Sequence, residues 1–270
     1  MPDPDYIQRY TELFDSGTPF VSVTMVEAIG STPQDAGSKM LVTADGHYYG
    51  TVGGGRVEAK AIDHALAMLK QESGGGTHTS FVDWNLRKDV GMTCGGSVKL
   101  YFESSNHKLW RIVIFGAGHV TQALVRLLIT LPCRVTCIDP RADWLAKLPA
   151  APNVETIVTD DPPGQVASLP DDAFVICMTR GHKSDLPVLV EIFKQAHTFA
   201  YLGVIGSKSK AAVLRRELTE AGIAEDRQIF HCPLGLAIGT NHPGEIAVSI
   251  AAQLLEARDN VKSNLQPADE

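Results

Sequence analysis

Four groups of residues in this 270-residue chain have types and spacings suited to chemistry. The first is Gly116-Ala117-Gly118-His119, where the apolar run LWRIVIF stops and a helical pattern follows at once. A glycine there makes a tight strand-to-helix turn, and a second lets the backbone approach a phosphate. The helix start then offers unpaired N–H groups at the positive end of its dipole. A carboxylate is expected about 20 residues further on to hold a ribose hydroxyl. Asp139, which closes RVTCID, stands at that distance, and Thr121 occupies the place of the third glycine. On these residues alone the group also fits a tight turn without a ligand.

The second group is spread over the residues that follow the other apolar runs: Asp139-Pro140-Arg141, Thr179-Arg180-Gly181-His182 and Gly206-Ser207-Lys208. Gly206, Ser207 and Lys208 together suit an anion nest. Equally, Ser207 reads as a helix N-cap and Lys208 as a solvated helix residue. Arg180 and His182 place charge just beyond a strand, or else form a surface loop. The third group is Gly53-Gly54-Gly55 with Glu58, where three glycines enter a helix. Glu58 in the first turn suits the helix dipole and would repel a phosphate lying directly on it. It reads either as an acceptor for a heterocycle's amino or amide edge, or as a helix-start residue. The fourth is Cys94, set between Met92-Thr93 and Gly95-Gly96. Its thiol has little steric cover and is a soft ligand or, as thiolate, a nucleophile; a free cysteine is more often an inert packing group.

The elements that must position these groups follow from periodicity. After ESSNHKLW, residues 103–110, apolar runs alternate with helical patterns: LWRIVIF, a helix to about Thr130, RVTCID, NVETIV, AFVICMT, a helix from about Ser184, FAYLGVIG, a helix from Lys208, QIFHC and a helix from Pro243. Such alternation predicts a doubly wound parallel sheet with helices on both faces, and ligands beyond the carboxyl ends of its strands. The expected division is an N-terminal domain over 1–105, a Rossmann-like domain over 106–258 and a loose tail over 259–270. In the first domain the pattern is strand, turn at Ala44-Asp45-Gly46, strand, glycines and an amphipathic helix.

Composition narrows the function class. A formal net charge of −7 argues against a nucleic-acid footprint. The five cysteines are odd in number and contain no CxxC pair, so neither a disulfide framework nor a zinc site is indicated, and four of them look like core thiols. No apolar stretch is long enough to span a bilayer, and MPDPDYIQRY lacks the basic start and apolar segment of a signal peptide. The expectation is a cytoplasmic protein, with small molecules or proteins as partners and no membrane.

Taken together, GSTPQDAGSKM, GTVGGGRVEAKAI and GMTCGG in the first domain, then FGAGHV, IDPR, TRGHKSD, YLGVIGSKSK and PLGLAIGTNHPGEIAVSIAAQLL, resemble the xanthine dehydrogenase accessory protein family, XdhC/CoxI. The likeness spans nearly the whole chain in order. It implies an α/β protein whose Rossmann-like domain follows a smaller α/β domain of XdhC/CoxI type. It also implies a maturation factor that binds the molybdenum cofactor (molybdopterin), protects its sulfurated form and delivers it to an apo molybdenum hydroxylase of the xanthine dehydrogenase type; whether the chain is also an enzyme stays open on the sequence. A cysteine desulfurase and a second copy of the chain are the further partners implied. Under that reading Gly116, Gly118, Ser207 and Lys208 form the phosphate cradle, Glu58 and Asp139 meet the pterin's amino and amide edge, and Cys94 meets the metal. Gly53, Gly54, Gly55, His119, Arg141, Arg180, His182 and Gly206 are the further cofactor-binding residues. The rival reading is an NAD(P)-dependent oxidoreductase with His182 as acid or base; a nucleotide-binding regulatory protein is a third. No Tyr-Lys or His-Asp pair with catalytic spacing stands out in its favour.

Overall fold

The computed structural model describes residues 3–70, 79–93, 95–106 and 109–264, and the chain divides into two compact units between residues 108 and 109. In the first unit, helix α1 (Pro4–Ser16) opens on Asp3, whose carboxylate accepts from Asp5 N, and ends on Gly17 in the left-handed region at φ 71°. Strands β1 (Phe20–Ile29), β2 (Lys39–Thr43), β3 (Gly46–Gly50), β4 (Thr79–Asn85) and β5 (Ser97–Ser105) form one antiparallel sheet in the order β3-β2-β1-β5-β4. Alternation sorts its two faces. Val21, Val23, Met25, Met40, Val42, Leu100 and Phe102 bury against Val57, Ala61, Ala65 and Met68, the apolar stripe of helix α2 (Gly55–Lys70). The intervening Phe20 and Leu41 bury against Tyr6 and Leu13 of α1.

The second unit contains β6 (Trp110–Phe115), α3 (His119–Leu128), β7 (Cys133–Asp139), α4 (Ala142–Leu145), β8 (Val154–Val158), β9 (Phe174–Cys177), α5 (His182–Lys194), β10 (Tyr201–Val204), α6 (Lys208–Glu220) and α7 (Pro243–Asn264). Its five strands are parallel in the order β10-β9-β6-β7-β8, a doubly wound Rossmann-like sheet whose direction of winding reverses between β6 and β9. Both faces are covered. Ile112 and Ile114 of β6 pack with Leu124, Leu128, Ile250 and Leu254 of α3 and α7. Val113 and Phe115 pack with Val188, Ile192, Leu214 and Leu218 of α5 and α6.

Two expectations are corrected. QIFHC is not a strand: only His231 bridges, to Gly203, while the Gln228 amide turns inward to Thr219 Oγ1 and Ile223 O, both at 3.0 Å. The last helix runs to Asn264, past residue 258 where the periodicity fades. Among the described residues no helix is long and apolar enough to cross a membrane.

Candidate functional site

The carboxyl edge of the parallel sheet carries the glycine turn at the winding reversal. Gly116 has φ 110°, and a Cβ there would fall on the Met178 carbonyl, so only glycine fits. Thr121, in the place of a third glycine, is buried and donates through Oγ1 to Gly116 O at 2.8 Å, closing the turn from inside. Gly118 differs from Gly116. Its backbone is ordinary (φ −68°, ψ −177°), and a Cβ built there meets, beyond its chain neighbours, no atom of the described residues within 4 Å. Helix α3 then begins at His119 with no side-chain cap. The turn therefore presents an uncapped helix start beside open space, which is the arrangement a phosphate needs. His119 is exposed, with its ring 5.0 Å from that of Trp144.

Asp139 ends β7 and is 2% exposed. Oδ2 accepts from Ala117 N and Arg141 Nη2, each at 2.7 Å; Oδ1 accepts from Arg141 N at 2.9 Å and Nε at 2.8 Å. Burial alone would raise this carboxyl's pKa, but the hydrogen bonds from Arg141 and Ala117 and the guanidinium charge outweigh it, and the net shift is downward. Asp139 thus holds the glycine turn in place.

Beyond β9, Gly181 is extended and α5 starts at His182 without a side-chain cap; Arg180 is exposed and His182 half-buried. Beyond β10, Ser207 Oγ accepts from Lys210 N at 3.2 Å, the N-cap alternative of the sequence reading. Gly206 and Lys208 beside it are exposed. The ammonium drawn inward is that of Lys210, which donates to Asp185 Oδ2 at 2.5 Å and Ile205 O at 2.7 Å. Asp185 is fully buried and also accepts from Thr179 Oγ1 at 2.7 Å and Thr179 N at 3.2 Å. Sequence reasoning missed this pair. Its signal was an aspartate on the same helical face as Val188, Leu189 and Ile192.

In the first unit the three glycine blocks come to one end of the antiparallel sheet, beyond β1, beyond β3 and before β5. A Cβ on Gly53 would lie 2.7 Å from Pro33 Cγ, and one on Gly96 would lie 2.6 Å from Ser31 O. Arg56 Nη1 donates to Gly91 O, tying the start of α2 to the GMTCGG segment. Glu58 Oε2 accepts from Thr51 Oγ1 and, at 3.3 Å, from Gly54 N, so it caps its own helix. Gly54 and Gly55 have φ 63° and 55°, and a Cβ on either meets nothing within 4 Å. Cys94 lies outside the described residues. Among the described residues no group of three or more His, Cys, Asp or Glu is placed to hold a metal ion.

The other four thiols are unsuited to nucleophilic work. Burial pushes Cys133 up to about 11 and Cys137 to about 12, holds Cys177 well above the ordinary thiol value, and raises half-buried Cys232. At pH 8 iodoacetamide is expected to leave Cys133, Cys137 and Cys177 unmodified in the native protein and to modify all five cysteines in denaturant. Peptide mapping by mass spectrometry checks this. Native labelling of Cys177 at the denatured rate would mean that the β9 core opens freely.

Comparison with known proteins adds the family. The model described as XdhC Rossmann domain matches residues 112–254, and that described as XdhC and CoxI family matches residues 13–80. YqeB, an uncharacterized protein of Escherichia coli strain K12, is 30% identical over 258 residues, which is 94% of this chain and 46% of that protein. PaoD, a molybdenum cofactor insertion chaperone of the same strain, is 26% identical over 279 residues, 92% of this chain and 86% of its own length. A probable xanthine dehydrogenase subunit of Bacillus subtilis strain 168 is 28% identical over 153 residues, 56% of this chain and 44% of its own length. The chain thus spans under half the length of two of these three relatives.

Proposed function

The chain belongs to the XdhC and CoxI family, and on that premise we propose that it binds the molybdenum cofactor, protects its sulfurated form and delivers it to a molybdenum hydroxylase of the xanthine dehydrogenase type. The observation that carries this reading is the glycine turn. It is built around Gly116, held by Thr121 and Asp139, and left open at Gly118 beside an uncapped helix start. Such a turn suits the cofactor's phosphate. PaoD, which this chain resembles over most of both lengths, is a cofactor insertion chaperone by name.

In this proposal Gly116, Gly118 and His119 cradle the phosphate, with Arg141, Arg180, His182, Gly206, Ser207 and Lys208 contributed from the same sheet edge. Gly53, Gly54, Gly55 and Glu58 belong to the pterin side, and Cys94 is the soft group for molybdenum or its terminal sulfur. Delivery needs release, so the cargo is held reversibly. The partners are the apo hydroxylase, a cysteine desulfurase and a second copy of the chain, in the cytoplasm.

Co-expression tests the proposal. The chain is expected to raise the activity of a molybdenum hydroxylase several-fold, while the purified protein shows no steady-state oxidation of NAD(P)H with simple carbonyl compounds. Cys94→Ser is expected to fold normally and to cut the yield of sulfurated, active hydroxylase; Cys133→Ser is not. Steady NAD(P)H turnover, or hydroxylase activity indifferent to the chain, would replace this reading with the oxidoreductase one.

A further inference from the structure

The carboxylate that a Rossmann turn ordinarily leaves open for a ribose is closed in this chain. Ionised Asp139 has about four acceptor sites, and Ala117 N, Arg141 N, Arg141 Nε and Arg141 Nη2 engage them all. A ribose diol would have to displace the guanidinium and leave a buried charge unpaired, which is costly. The free donors at this point belong to Arg141 instead. A guanidinium carries five N–H groups; Nε–H and one Nη2–H go to Asp139, leaving both Nη1–H groups and the second Nη2–H. Ala117 N and Arg141 Nη2 each lie 2.7 Å from the same Asp139 oxygen, so the guanidinium sits beside the glycine turn. Its Cζ is 4.6 Å from the centre of the Trp144 ring, which also meets Lys147 Nζ at 4.3 Å and the His119 ring at 5.0 Å. Asp143 in α4 is the further acid whose field acts on Arg141. The Arg141 side chain remains 19% exposed.

We propose that this subsite takes a phosphomonoester and refuses a ribose diol, with Arg141 as the specificity-determining residue and Asp139 as the residue that positions it. The inference rests on the reading that the glycine turn holds a phosphate-bearing ligand. A phosphomonoester brings nearly two negative charges and three acceptor oxygens, which match a planar fork of donors. Arg141 is already held by Asp139 and Trp144, so little side-chain freedom is lost on binding. Two sources share this chemistry. One is a pterin ending in its own phosphate, as against its dinucleotide form, where that phosphate is esterified and the outer group is a ribose diol. The other is a nicotinamide dinucleotide bearing a 2′-phosphate, as against its diol counterpart.

Calorimetric titration of the full chain with two matched pairs of probes tests the proposal: molybdopterin against its cytosine dinucleotide, and NADP+ against NAD+. In at least one pair the phosphomonoester form is expected to bind about tenfold or more tightly, as charge-assisted hydrogen bonds warrant. The ratio is expected to fall to near one in Arg141→Leu. Because that change leaves Asp139 without its cation, the double variant Asp139→Asn/Arg141→Leu, which removes both charges, is titrated beside it. A preference within the pterin pair assigns the phosphate to the cofactor's own tail. A preference in the nicotinamide pair alone keeps the subsite and overturns the cofactor-delivery reading. Equal binding within each pair sinks the subsite while leaving that reading intact if pterins bind at all. A preference that survives in the folded double variant overturns the role of Arg141, and binding of none of the four probes overturns both proposals.

Discussion

Lys210→Met is expected to lower the thermal midpoint of the C-terminal unit by roughly 10 °C, the largest stability loss foreseen for a single side chain in this protein. Asp185 has no exposure, and its carboxylate depends on Lys210 Nζ at 2.5 Å and on the Thr179 hydroxyl and N–H. Methionine matches the lysine stem in length but leaves a buried carboxylate without its cation, which typically costs about 3–5 kcal/mol. It also strips a donor from Ile205 O. The effect is charge-specific: Asp185→Leu/Lys210→Met, which removes both charges, is expected to recover most of the loss. Differential scanning calorimetry of the two variants decides it. A single variant melting within about 2 °C of the parent would show that the pair is solvated and dispensable. The consequence reaches the site, because Asp185 holds Thr179, and the Met178–Thr179 backbone is the surface against which Gly116 turns.

How far these features were legible in the sequence depends on the range of the forces involved. The parallel sheet was legible, because apolar runs of strand length separated by helical periods are a local signal, and LWRIVIF, RVTCID and FAYLGVIG each contain the strand expected of them. The turn was legible for the same reason: Gly116 and Gly118 sit where strand gives way to helix. Their different tasks were not. Gly116 is dictated by a carbonyl far along the chain at Met178, whereas Gly118 faces nothing within 4 Å, and no local spacing separates a glycine required by the fold from one left open. Asp139 was found by its distance from the turn, but its saturation by Arg141 and Ala117 is a three-dimensional fact. The QIFHC run had strand-like composition yet no continuous partner beyond β10, and pairing, not propensity, makes a strand. The pair Asp185–Lys210 joins two helices across 25 positions, so neither residue announces the other.

The difference between the two glycines carries the second large effect. Gly118→Val is expected to weaken binding of the molybdenum cofactor by about 100-fold or more while shifting the melting temperature by no more than a few degrees. At φ −68° and ψ −177° valine meets no backbone strain, and its Cβ enters space where, beyond its chain neighbours, no atom of the described residues lies within 4 Å, so the fold has no reason to object. That same space is where a phosphate must come to reach the first N–H groups of α3. A branched side chain there blocks the approach and removes several charge-assisted hydrogen bonds together, each worth about 1.5–3 kcal/mol. Gly116→Val is the control of opposite sign. With φ 110° and a Cβ driven onto the Met178 carbonyl, it is expected to damage the fold before any binding can be measured. Calorimetric titration of the cofactor into folded Gly118→Val, with circular dichroism of both variants, separates the two effects. Unchanged affinity in the Gly118 variant would remove the phosphate from this turn and with it the central support for cofactor delivery.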